Sequence, residues 1–341
     1  MGGNRPPAQP AHGQRPPLDA TYPQRRTPEP EEIMDRQYVD AVRLLLTVAP
    51  VIFESPRFAL KGGTALNLFV QDLPRLSVDI DVVFTDHALE REPALIAIGN
   101  DLQAAKAKLE RMGYSANIRK TQKGDEAKLL VADQSSQIKV EVNFVFRGTL
   151  LPVVLRTLVN SARDLFTTAM ELPVLAIPEL YGSKLVAALD RQHPRDWFDV
   201  AAMIDGFGLD ASMVDCFVAY LAGHNRPIHE VLFSNDLPLD EIFNSDFVGM
   251  TAADIPLQRL IETRQHIRRE LPKVLTDAHR HFLLSFVRAE PDWSLMPFEH
   301  LKDMPAIRWK LFNLEKLRTV SKVRFELQAT EIMKRFDRFR Q

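Results

Sequence analysis

Apolar residues recur at spacings close to three and four between Glu31 and Phe53 (Ile33, Tyr38, Val42, Leu45, Leu46), which predicts a helix there. Phe58-Ala-Leu-Lys61 then reads as a short strand running into Gly62-Gly63-Thr64. Ala65 to Gln71 reads as a helix that starts at that turn. Leu76 to Phe84 alternates like a strand. Ala94 to Met112 is an amphipathic helix that Gly113 ends as its C′ residue. Three more strands are predicted over Tyr114 to Lys120, Ala127 to Asp133 and Gln137 to Arg147, with Gly124-Asp125 as a hairpin turn. After about residue 175 the character changes. Pro178 to Asp190 and Pro194 to Asp205 are helical, each with proline at its start, and helical patterning continues from residue 210 with little glycine. The predicted fold class is α+β. A mixed-sheet N-terminal domain spans residues 31–175 and an all-helical C-terminal domain spans 176–341.

Composition narrows the class. Of the 341 residues, 45% are hydrophobic and 26% charged, as in ordinary globular chains. The single cysteine, Cys216, excludes an intrachain disulfide framework and a cysteine zinc site. It fits a reducing compartment, and the expected location is cytoplasmic. No apolar run approaches the roughly 18 residues of a membrane span, so no membrane partner is expected. Residues 1–30 hold eight of the 23 prolines and few large apolar groups. They read as a disordered, Pro-rich tail without the apolar core of a secretory signal.

The net charge of −2 hides an asymmetry. Residues 301–341 carry eleven Lys/Arg against five Asp/Glu, so a basic segment sits on an acidic body and suits an anionic partner on one face. Trp309, within that segment, reads as a core residue rather than a stacking platform.

One segment carries chemistry. In Leu76-Ser-Val-Asp-Ile-Asp-Val-Val-Phe84, Ser77, Asp79 and Asp81 share one strand face and Val78, Ile80 and Val82 the other. Two carboxylates at that spacing repel unless a divalent cation lies between them. Gly62, Gly63 and Thr64, between a strand and a helix, let backbone N–H groups approach a phosphate. Glu141, with Lys139 and Asn143 on one face of its strand, is a candidate third carboxylate; Asp133 and Glu126 on a neighbouring strand are alternatives. The histidines show no zinc-ligand spacing.

Lys61-Gly-Gly-Thr-Ala-Leu66 with Arg75-Leu-Ser-Val-Asp-Ile-Asp81 resembles the first motif of the DNA polymerase β-like nucleotidyltransferases, and more closely the AbiEii/AbiGii toxin family. Lys139-Val-Glu-Val-Asn143, Lys184 with Arg195-Asp-Trp-Phe-Asp199, and Ala306-Ile-Arg-Trp-Lys-Leu-Phe-Asn-Leu314 resemble that family too. The resemblance implies a polymerase β-like core whose helical domain completes an NTP cleft and contacts the substrate. It implies two Mg²⁺ ions on Asp79, Asp81 and Glu141. Gly62, Gly63, Thr64 and Ser77 would form the phosphate cradle, with Lys184 on the triphosphate and Asp196 as a further essential polar residue. Read on their own, Lys184 fits a snorkelling lysine, and Asp196, which shares a face with Asp199, fits a helix-dipole acid. The implied activity is transfer of NMP from an NTP to a tRNA hydroxyl by a type IV toxin, with a winged-helix antitoxin as partner. An aminoglycoside-type small-molecule transferase and a protein-hydroxyl NMP transferase are the alternatives.

Overall fold

The computed structural model describes residues 35–120 and 126–339. The Pro-rich tail, the Gly124-Asp125 turn and the Glu126 side chain lie outside the described residues.

Seven strands form one mixed sheet in the order β3-β4-β5-β2-β1-β7-β6. They are β1 (Phe58–Lys61), β2 (Asp79–Phe84), β3 (Ser115–Lys120), β4 (Glu126–Ala132), β5 (Gln137–Asn143), β6 (Val154–Thr157) and β7 (Glu171–Val174). The central strand β2 runs antiparallel to β1 and parallel to β5. Its Ile80 and Val82 are fully buried, as is Val140 of β5, while Asp79, Asp81 and Glu141 alternate with them on the opposite face. Strand alternation thus gives this sheet one apolar face and one face free for chemistry. The helices Arg36–Ile52 and Arg91–Arg111 pack against the sheet and each other, burying Leu45, Ile52, Ile98 and Leu109.

Helices make up the rest. Ile177–Arg191 lies against Ala211–Gly223, and Gly182 permits the approach, because a Cβ there would meet Cys216 Cβ at 2.7 Å. Proline opens both Ile177–Arg191 and Pro194–Phe207, as predicted. Among the described residues no helix is long and apolar enough to cross a membrane.

The structure departs from the sequence expectations at identifiable points. β2 starts at Asp79, not Leu76, because the backbone of 74–76 turns to another segment: Leu76 N–H donates to the Met250 carbonyl and Ala252 N–H to the Pro74 carbonyl. β5 stops at Asn143 rather than Arg147. The Asn143 side chain accepts from Val145 and Phe146 N–H and bends the chain out of the sheet. β6, β7 and the helix Asn160–Phe166 had no predicted counterpart; β6 is a largely exposed edge strand without alternation. Trp309 is 53% exposed and not in the core. Lys310, one of the cations of the basic segment 301–341, is buried and donates to the Asn225 and Arg226 carbonyls, so it is withdrawn from the exposed basic face. Desolvation pulls its ammonium pKa down to about 8.

Candidate active site

Pairing across three strands assembles the acids. β1 sets Lys61 opposite Asp81, and β5 sets Lys139 opposite Asp79 and Glu141 opposite Asp81. Residues directly opposite one another share a face. One face therefore gathers Asp79, Asp81 and Glu141, with Lys128 of β4 opposite Glu141 as well.

β1 ends where the helix Gly62–Phe69 begins, and Gly62 takes φ +75, which favours glycine. A Cβ on Gly62 would lie 2.1 Å from Asp81 Oδ2, so the Asp81 carboxylate sits directly against the backbone at the head of that helix. Gly63 is equally confined: a Cβ there would lie 2.7 Å from Arg75 Nη2 and 3.0 Å from Ser77 Oγ. Thr64 is buried. Its hydroxyl donates to the Asp79 carbonyl and lies 3.1 Å from Ser77 Oγ, tying the glycine turn to β2. No side chain caps this helix, which leaves its first N–H groups for a ligand.

Behind the turn lies a buried ionic network. Arg75 donates to both Asp199 carboxylate oxygens at 2.7 Å, and Asn67 donates to Asp199 Oδ1 at 3.0 Å and to the Gly63 carbonyl. Lys184 Nζ lies 2.9 Å from Asp199 and 3.1 Å from Asp196. Arg191 Nη2 donates to Asp196 at 2.8 Å. Lys184 does not snorkel; two carboxylates compensate it in the interior. An ammonium has three donors, so one remains for an oxygen in the cleft. Three cations against two acids leave one positive charge in excess where Lys184 and Arg191 line the cleft. Burial alone would raise both aspartate pKa values. Lys184 and Arg191 outweigh it at Asp196, and Arg75 and Lys184 at Asp199, so both carboxyls titrate below the usual range.

A depressed acid stabilises the fold above its unfolded pKa and loses that contribution as pH falls through its folded value. Wild-type stability is therefore expected to fall steeply below about pH 4, the ordinary aspartate range. In Asp196→Asn, stability at neutral pH drops and this acid slope becomes shallower. Denaturant melts from pH 7 to pH 2 check it; identical slopes in the two proteins would remove Asp196 from the network's energetics.

The cleft between turn and network has a volume of about 280 Å³. Gly62, Asp81, Lys184 and Arg191 line it, together with Phe146, which stacks on Tyr220 at 5.9 Å. The acids differ in state. Burial raises the Asp79 pKa, with repulsion from Asp81 and Glu141 adding and Lys139 opposing. For Glu141, burial acts upward, but hydrogen bonds and charge from Lys128 and Lys139 hold it below the usual range. Lys128 lies 2.8 Å and Lys139 3.2 Å from Glu141, and Lys139 reaches 3.4 Å from Asp79. Asp81 has no hydrogen bond or ion pair among the described residues. These hard oxygen donors suit Mg²⁺ through Asp79 and Asp81. Glu141 is engaged by lysines, and among the described residues no three His, Cys, Asp or Glu side chains converge as a closed metal group. Asp133 spends its carboxylate on Ser135 and Ser136 N–H in the turn after β4.

Sequence reading did not assign roles to Asn67, Arg75, Arg191 or Asp199. The available signal was charge inside otherwise apolar stretches, at Asp199 in Trp197-Phe-Asp-Val200 and at Lys184.

A family model described as "Nucleotidyl transferase AbiEii toxin, Type IV TA system" matches residues 43–313. Among solved structures, the chain is similar to MenT4, a nucleotidyltransferase toxin from Mycobacterium tuberculosis H37Rv. Identity is 16% and the TM-score 0.55, over 81% of this chain and 94% of that one. At that identity the likeness concerns the fold alone. A search of curated proteins found no match.

Proposed function

The chain belongs to the AbiEii nucleotidyltransferase toxin family, and from that premise we propose that it transfers NMP from an NTP to a tRNA hydroxyl, as the toxin of a type IV pair acting in the cytoplasm. The observation that carries this reading is the Asp81 carboxylate against Gly62 at a free helix N-terminus, with Lys184 and Arg191 lining the same cleft. The backbone N–H groups of Gly63 and Thr64 receive phosphate oxygens. Thr64 and Ser77 keep those N–H groups in place through their contact with β2. Lys184 donates its remaining N–H to the triphosphate, and Asp196 positions it by sharing its charge with Arg191. The acceptor oxygen bonds the α-phosphorus as the bond to the bridging oxygen breaks, the acceptor hydroxyl releases its proton to solvent, and pyrophosphate departs with the bridging oxygen. Asp79 and Asp81 would hold Mg²⁺, which supplies charge neutralisation of the phosphates when bound, and Glu141 would join them as a third carboxylate only on leaving Lys128 and Lys139.

RNA as acceptor is supported by exposed Lys316, Lys322 and Arg324 on the C-terminal helices. A cationic small molecule would need an acidic pocket, whereas this cleft presents Lys61, Lys184 and Arg191 beside Asp81 and Asp190. A winged-helix antitoxin is the proposed protein partner. The test incubates the protein with labelled NTPs and, separately, total tRNA, an aminoglycoside panel and the protein alone. Label in tRNA alone is expected. Label in an aminoglycoside or in protein would replace tRNA as the acceptor.

A further inference from the structure

After Asn143 the chain leaves the sheet and separates two hollows. Phe146 lines the cleft described above. Phe144, Val145 and Arg147 line a second pocket of about 430 Å³. Arg308, Trp309 and Phe312, from the helix Pro305–Val320, form another wall. The helix Arg91–Arg111 begins at this pocket, with Arg91 and its N-cap residue Glu90 among the lining residues, and no side chain caps it.

Arg147 gives the pocket its chemical direction. It is 3% exposed, its Nη1 reaches the Leu89 carbonyl at 3.3 Å, and its Nε has no hydrogen-bond partner. No carboxylate among the described residues comes within ion-pair distance of it. Glu90, on the same wall, lies 3.5 Å from Arg308 instead. Desolvation lowers the Arg147 pKa, with Arg91 adding to the effect and Glu90 and Asp86 opposing it from beyond ion-pair distance. A buried guanidinium without a direct ion-pair partner is costly, and a bound anion offsets the cost. Across the pocket, Trp309 and Phe312 are 53% and 56% exposed and stack on each other at 5.9 Å and 24°. Exposed aromatic rings beside guanidinium groups are what unpaired nucleobases stack on.

We propose that this pocket holds one nucleotide of the acceptor RNA, with its phosphate on Arg147 and the N-terminus of the Arg91–Arg111 helix and its base against Trp309 and Phe312. The proposal rests on the RNA-acceptor reading and adds where on the chain the acceptor is gripped. Residues of the Phe144–Arg147 segment line both hollows, so a strand anchored here would lie beside the cleft its reacting hydroxyl must enter.

The test uses the full chain and a labelled single-stranded RNA oligonucleotide of mixed sequence, with NTP affinity measured in parallel. Trp309→Ala and the double variant Arg308→Ala/Trp309→Ala change exposed residues and are expected to fold. Each should weaken RNA binding by about tenfold or more, within the range of one lost base stack, and leave NTP affinity unchanged. RNA should quench tryptophan emission in the wild type, and Trp309→Phe should lose most of that quenching while still binding. Arg147→Gln keeps an N–H donor for the Leu89 carbonyl and should lose RNA affinity while leaving NTP affinity unchanged. RNA affinity within twofold of wild type in both Trp309→Ala and the double variant overturns the pocket while leaving the RNA reading standing. No RNA binding by the wild type overturns both. Variants that keep RNA but lose a co-expressed antitoxin make the pocket a protein-docking site and overturn the nucleotide assignment.

Discussion

Asp81→Ala is expected to abolish nucleotide transfer and leave the fold intact. The side chain forms no hydrogen bond or ion pair among the described residues, lies against Gly62, and faces Asp79 and Glu141 across the same sheet face. Beyond an attraction to Arg191, nothing in the fold depends on it, and its repulsion of Asp79 is lost when it goes. The melting temperature should therefore equal or exceed that of wild type. Transfer should fall by at least about a thousandfold, the upper range for removing one group aimed at developing charge. Asp79→Ala should behave alike, since burial and its acidic neighbours already push the Asp79 pKa up. Labelled-NTP incorporation and thermal melts decide the matter. Transfer within tenfold of wild type would remove the pair from the chemistry, and collapse of the fold would make them structural.

Asp199→Ala is expected to produce the largest loss of stability. That carboxylate takes both arms of Arg75, the Lys184 ammonium and the Asn67 amide, all buried. Its removal strands Arg75 in the interior and leaves Lys184 with Asp196 alone, a change that costs about 3–5 kcal/mol when one partner of a buried pair is deleted. Arg75 belongs to the segment leading into β2, and Lys184 and Asp199 to two helices of the C-terminal half. The same change therefore loosens the seam that shapes the cleft. Urea unfolding of wild type and variant measures it. A loss under about 1 kcal/mol would mean that the network relaxes around the gap and does not hold the seam.

How far these sites were legible depended on periodicity. The Asp-x-Asp of β2 and the Glu of β5 were readable because strand alternation fixes which side chains share a face, and the observed pairing sets Asp81 opposite Glu141. The glycine turn, which alone could be only a turn, was readable because the two aspartates follow close behind it in sequence. Non-local pairing was not readable. Arg75 meets Asp199 across 124 residues, and no local pattern announces that partner. The resemblance put Lys184 and Asp196 at the cleft, but each read alone also fits a surface helix, as a snorkelling lysine and a dipole acid, and no local pattern showed that they form a buried pair. The edge strand β6 buries little and shows no alternation, and its inner neighbour β7 alternates over only four residues, with Pro173 among them. Trp309 and Lys310 exchanged their expected places for a related reason. Helical periodicity fixes which residues share a face but not which face a neighbouring element covers.

The central claim is transfer of the α-phosphate with its nucleoside onto RNA by this site. It is tested most directly by incubating the protein with total tRNA and either α-labelled or γ-labelled NTP, then resolving the RNA before and after ribonuclease treatment. Ribonuclease-sensitive label is predicted from the α-phosphate alone, absent with Asp81→Ala. Label transferred from the γ-phosphate, or label that survives ribonuclease and remains on protein, would contradict the account.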